Sequence, residues 1–392
     1  MARFVDKFWL AILMTIMLAS GTINTMVAKI QDMIKSDGNS YNHPYFQTAT
    51  MFVGELMCLV FYFFAKLFAK KQAQEEESLQ TKVDIKPKGC KARMGPMIFA
   101  LPAVFDLTAS TLMMIGLGLT TASVYQMMRG LIVVVVALYS LIFLRRRLFQ
   151  HQIVGVVFVF VGVLLVGIAS VIWSNSSSRN PALGAILIII GQFFAGGVFV
   201  VEEKFLGDIK IPALMAVGIE GLSGLTYFCI LLPIFYAIPC YDEQMCSGGG
   251  HVENFLYAFK QLGDNGLLMF LFFAYIFSIS FFNWSGISVT KSTGALARST
   301  IDTSRTVLVW VIDLAVRWEI FNGLQFAGFI ILVFGTLLYN EAIILPFWGF
   351  RESVERKRKY AEKLKEYIAA KLAGITPTEE EELKSKHEST EF

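Results

Sequence analysis

The chain has 392 residues, 55% hydrophobic and 17% charged, with a formal net charge of +3 and a mean hydropathy of +0.58. A soluble protein of this length would need far more polar surface, so the composition excludes an ordinary soluble enzyme and points to an integral membrane protein. The five cysteines and four histidines form no CxxC and no histidine–carboxylate cluster, so no metal, cofactor or thiol catalyst is expected, and nothing in the charge balance suggests a nucleic-acid partner.

Ten stretches are long and apolar enough to span a bilayer, near 8–28, 46–68, 95–117, 122–144, 151–172, 182–203, 212–237, 266–290, 295–316 and 323–345. The first could instead be a cleaved signal segment, because Ala19, Ser20 and Gly21 follow its apolar run, although the run continues to Ala28. Between the second and third stretches, 69–94 reads as a charged, flexible cytoplasmic loop. The "PCYDEQMCSGGG" loop within 238–265 faces the opposite side; Cys240 and Cys246 could form a disulfide in an oxidising compartment or remain two thiols. In the 346–392 tail, residues 352–372 read as helix, with Val354, Tyr360 and Leu364 along one side, before an acidic disordered end. That helix suits either a membrane surface with anionic headgroups or plain solvent. Lysines and arginines, Arg145–Arg147 and Arg351–Lys359 among them, concentrate on the side of the tail. Both termini are therefore expected in the cytoplasm, with the lipid bilayer itself a partner and the organelle left open.

"GVVFVFVGVLL" (155–165) and "GFIILVFGTLL" (328–338) align without a gap at an offset of 173, matching Gly155 to Gly328 and Gly162 to Gly335. The same offset carries Ala122 to Ala295, Val134 to Val307 and Arg129 to Asp302. The expectation is an all-α integral membrane fold: a 1–345 transporter domain of ten transmembrane helices in two inverted five-helix repeats, 8–172 and 182–345. An odd helix count per repeat inverts the second half, a construction that suits a transporter with its site between the halves.

Seven of the charged residues inside these stretches stand out: Glu55, Asp106, Arg129, Glu220, Arg298, Asp302 and Arg305. Each costs about 2.5 kcal/mol at a helix centre, so they must be paired or face a wet cavity. In "GALARSTIDTSRTVLVW" (294–310), Arg298, Asp302 and Arg305 fall at i, i+4 and i+7, on one side of a helix; Tyr125 and Arg129 stand at i, i+4, with Gln126 beside them. Two readings stand. The charges lock the bundle as a buried network, or Arg129, Arg298 and Arg305 bind an anionic solute while Asp302 holds them between substrates. Glu55, Asp106 and Glu220 are candidates for coupling or gating, or packing carboxyls. Pro102 could kink the third helix toward the cavity. Lys291 could reach an anion, or snorkel to the surface. No Walker loop, G-x-S-x-G or H-E-x-x-H is present, so no enzyme is expected and transport would be secondary.

At "LPAVFDLTASTLMMIGLGLTTASVYQMMRG" and "FFNWSGISVTKSTGALARSTIDTSRTVLVWVIDL" the chain resembles the nucleotide-sugar transporter group of the drug/metabolite transporter superfamily, and most of all the F subfamily of solute carrier family 35. The resemblance implies ten helices in two inverted repeats, with the fifth and tenth outside the cavity and available for a homodimer. It also implies that Lys291, Tyr125, Gln126, Arg298 and Asp302 meet a nucleotide, although Gly294-Ala-Leu-Ala-Arg298 stands where those members carry a GALNK-type motif. The expected function is alternating-access transport of an anionic metabolite, with nucleotide sugars the leading class. The alternatives are a transporter of a neutral or cationic metabolite whose charges are structural, and a membrane adaptor without transport.

Overall fold

The computed structural model describes residues 2–69, 95–120, 122–144, 148–172, 180–208, 211–240, 250–317, 322–339 and 349–359, with 341, 343 and 345 as single positions. The remainder of the 69–94 loop, Cys246 and the tail beyond 359 lie outside the described residues. Twelve α-helices make up nearly all of it: α1 Ala2–Met33, α2 Pro44–Ala69, α3 Ala100–Leu119, α4 Ala122–Arg129, α5 Leu131–Phe143, α6 Gln150–Ile172, α7 Pro181–Asp208, α8 Ala213–Ala237, α9 Phe255–Asp264, α10 Gly266–Thr293, α11 Ala295–Ala315 and α12 Gly323–Tyr339. One small hairpin pairs β1 (Lys35–Ser36) with β2 (Asn39–Ser40).

Eight helical spans among the described residues, from Phe8–Met33 to Gly266–Thr293, are long and apolar enough to cross a membrane. Helices also stand at the other two stretches, but α12 is short at 17 residues and α11 carries Arg298, Asp302, Arg305 and Asp313. The chain is a multi-pass, all-helical membrane protein. Its outward faces carry Phe61, Phe64, Val157, Phe160, Phe270 and Phe281 exposed, as hydrocarbon solvent requires, while many buried side chains are polar.

Local chemistry sets the breaks. The fourth span is interrupted at Gly130, whose N–H bonds Met127 O at 3.1 Å while Val133 N–H bonds Gly130 O at 3.2 Å; these i→i+3 bonds are a tightened turn directly after Arg129. The α10–α11 corner turns on Gly294, at φ +98°, which side-chain-bearing residues rarely adopt. Pro102 does not kink the third span: it sits in the first turn of α3, after a 3-10 turn at Gly95–Phe99, where a missing N–H breaks no ladder.

Where the interior helices cross, glycines let backbones touch. On α6, a Cβ at Gly155 would stand 2.8 Å from Tyr339 N and one at Gly162 would stand 2.6 Å from Leu332 N, both on α12; in return Gly335 faces Gly155 O and Gly328 faces Gly162 O. Gly116 of α3 meets Gly184 of α7, and Gly218, Gly221 and Gly224 of α8 face α2.

Two segments that hydropathy does not single out pack against the bundle. At one end, β1–β2 and α9 (the latter inside the expected 238–265 loop) pack Tyr41, Phe46, Ala258, Leu262 and Leu268 together. There His43 Nδ1 lies 2.6 Å from Glu253 Oε1, and Gln261 bonds Ser36. Elsewhere, residues 350–359 are helical with Phe350 and Val354 buried. That part of the tail is therefore packed on the bundle along one side rather than surrounded by solvent. It docks on the start of α6, where His151 Nδ1 and Ser353 Oγ are 2.9 Å apart, and Lys357 Nζ meets Glu341 Oε1 at 2.5 Å.

Candidate substrate cavity

A cavity with about 860 Å³ of space free of atoms, part of it open to solvent, lies at the centre of the bundle and is lined from α1, α2, α3, α4, α5, α7, α8, α10 and α11. Six of the seven charges read from the sequence line it: Glu55, Asp106, Arg129, Glu220, Arg298 and Arg305. The seventh, Asp302, is buried behind the arginines, 4% exposed.

The arginine wall is built from α4 and α11. Arg129 Nη2 donates to Asp302 Oδ2 at 3.1 Å, and its Nη1 reaches Tyr125 Oη at 3.4 Å. Asp302 Oδ1 lies 2.9 Å from Arg305 Nη2, close enough for an ion pair but without hydrogen-bond alignment. Arg305 rests over the Phe282 ring at 4.8 Å and fills the space that a Cβ on Gly21 would occupy. One carboxylate thus steers two guanidiniums, and the i, i+4, i+7 stripe is buried on one face of α11. Among the described residues the buried Nε donors of Arg129 and Arg305 meet no acceptor, and neither does that of Arg298.

The opposite wall is acidic. Arg298 is ion-paired with Glu202, sits 4.1 Å above the Phe199 ring and packs on Gly286. Around it stand Glu55, whose Oε1 accepts from Asn283 Nδ2 at 2.5 Å, Asp106, whose Oδ1 accepts from Ser110 Oγ at 2.9 Å, and Glu220. Glu202 is the functional residue that sequence reasoning missed. With the sixth helix ended at 203, the acidic pair in "VEEK" reads as interfacial; α7 in fact runs on to Asp208, which puts Glu202 well inside the helix.

Other expected site residues lie elsewhere. Gln126 does not line the cavity; it donates to Thr25 Oγ1 at 2.7 Å and its carbonyl accepts from Thr306 Oγ1 at 3.1 Å, joining α1, α4 and α11. Lys291 is exposed at the end of α10 and donates to Ile211 O at 2.8 Å. Cys240 is disulfide-bonded; Cys246, its expected partner, lies outside the described residues. Among the described residues no group of histidines, cysteines and carboxylates could hold a metal ion.

The sequence model described as nucleotide-sugar transporter matches residues 6–241, more than half of the chain. The chain belongs to the nucleotide-sugar transporter family. Within the family it is similar to solute carrier family 35 member F6 of Rattus norvegicus, 37% identical over 336 residues, covering 83% of this chain and 87% of the relative. The human protein of the same name is 36% identical over 334 residues, with the same two coverages. An uncharacterised protein of Schizosaccharomyces pombe is 34% identical over 333 residues, covering 84% of this chain and 97% of its own. Membership makes this chain a membrane transporter rather than an enzyme.

Proposed function

We propose that the chain carries an anionic metabolite, with nucleotide sugars the leading class, across an intracellular membrane by alternating access of two inverted five-helix repeats. The observation that carries the anion is the pair of buried, unmet Nε donors on Arg129 and Arg305, held in line by Asp302 beside the cavity. A phosphate oxygen would complete them.

The repeat reading is supported by contacts that map onto themselves. At an offset of 173, Gly155 faces Gly335 and their equivalents, Gly328 and Gly162, face each other; Arg129 pairs with Asp302, its own equivalent. Self-mated contacts are what a two-fold axis between inverted halves produces. The lysine and arginine distribution favours cytoplasmic termini.

A second reading, transport of a cation, is favoured by the acidic wall, where four carboxyls surround Arg298. A thermal-shift screen of the detergent-solubilised protein decides between the two. A ligand at 100 times its dissociation constant stabilises by about 2.7 kcal/mol. Stabilisation by a nucleotide sugar and its matching monophosphate, lost in Arg129→Gln, is the expected result; stabilisation by organic cations alone refutes the anion.

A further inference from the structure

The carboxyls of the acidic wall come from four helices: Glu55 from α2, Asp106 from α3, Glu202 from α7 and Glu220 from α8, and all four line the cavity. They stand as two contacting pairs, Glu55 within hydrogen-bond reach of Asp106 and Glu202 within reach of Glu220. Facing them are Arg298 of α11, already ion-paired with Glu202, the more distant Arg129 of α4, the Cys58 thiol of α2, and the Asn283 amide of α10. Glu55 Oε2 and Glu220 Oε1 meet no donor among the described residues, in side chains of residues only 1% and 5% exposed.

A carboxylate oxygen can only accept, so two ionised carboxylates in contact repel; the contact becomes a hydrogen bond when one of the pair carries a proton. Charge counting over the whole cavity gives the same number independently. Five carboxyls, counting Asp302, face three guanidiniums, so two protons bring the sum to zero, which is what burial in a membrane favours.

We propose that Glu55–Asp106 and Glu202–Glu220 form a proton-binding site of the transport cycle, one exchangeable proton per pair. Each proton is taken from water on the side to which the cavity is open and returned to water on the side to which it opens next; only an O–H bond forms and breaks. Arg298 links this site to the solute, because a solute that draws Arg298 away from Glu202 strips that carboxylate of its partner and strengthens its hold on a proton. The site rests on the membership of a transporter family, not on the charge of the solute.

The test needs no solute. Proteoliposomes adsorbed on a solid-supported membrane, in sodium-free potassium buffer, are stepped from about pH 7.5 to about pH 6. The expected result is a transient charging current that falls to the level of protein-free liposomes in Glu55→Gln/Glu220→Gln and is unchanged in Gly207→Ala, a position with nothing within 4 Å and no part in the cavity. If the double variant does not elute as a folded monodisperse protein, Asp106→Asn, which removes one pair only, is expected to halve the displaced charge. A wild-type trace equal to that of empty liposomes, full charge in folded carboxamide variants, or an equal current from a sodium step at constant pH would each overturn the proposal. Because no candidate solute is added, failure of the anion reading in the thermal-shift screen leaves this result standing, and the reverse.

Discussion

Replacing Asp302 with asparagine removes the one carboxylate shared by two guanidiniums. The side chains concerned are 1% exposed for Asp302, 2% for Arg305 and 15% for Arg129, so neither arginine can turn to bulk water without opening the bundle. Breaking a buried ion pair from one side costs about 3–5 kcal/mol, and here a single change strands both arginines. Arg129→Gln is different. Asp302 keeps Arg305, the lost contacts are one partly exposed bond at 3.1 Å and a long one to Tyr125 Oη at 3.4 Å, and the expected cost is about 1 kcal/mol. Thermal unfolding of the two purified variants, followed by fluorescence-detected size exclusion, should therefore place Asp302→Asn on the order of 5–10 °C below the wild type and Arg129→Gln within about 3 °C of it. Added anions should recover more of the loss in Asp302→Asn, since they restore the missing negative charge. Equal Tm values for the two variants would refute the shared-carboxylate account.

Gly162→Leu drives a side chain into α12 backbone 2.6 Å away and should cost about 3 kcal/mol, whereas Gly207→Ala, with nothing within 4 Å, should be neutral or slightly stabilising; a reversed order in a melting series would reject the close crossing of α6 and α12. Lys291→Ala should leave stability within about 0.5 kcal/mol and leave anion-induced shifts intact, and a loss of those shifts would bring Lys291 into the binding site. In the cluster of β1–β2 and α9, burial first and Glu253 next hold the Tyr41 phenol well above its ordinary value. An unfolded tyrosine ionises near about pH 10, so above that pH the unfolded chain releases a proton that the folded chain keeps, and stability falls as pH rises. Tyr41→Phe should flatten this alkaline decline; identical slopes would rule the mechanism out.

Apolar length alone was enough to place a helix at each of the ten stretches, because a bilayer leaves the backbone few alternatives. One contact across the centre was legible too. The offset that aligns Gly155 with Gly328 also aligns Arg129 with Asp302, and the two do pair. Glu202 was not legible, because two residues at a helix boundary decide whether an acid reads as interfacial or buried. The meeting of four carboxyls from α2, α3, α7 and α8 was not legible either, since hydropathy says which segments span but not which faces converge. Phe350 and Val354 illustrate a third limit: a short amphipathic helix bound to its own bundle and one bound to lipid have the same pattern.

The pairing of Arg129 with Asp302 carries a consequence for how such a chain can diversify. If the halves descend from one duplicated segment, a residue at a self-mated position first faced an identical copy of itself. Two arginines in that place would repel at close range and two aspartates would attract only by sharing a proton, so an ion pair there could arise only by parting company in sign. The opposed charges would then mark the point where the two copies first had to stop being the same gene.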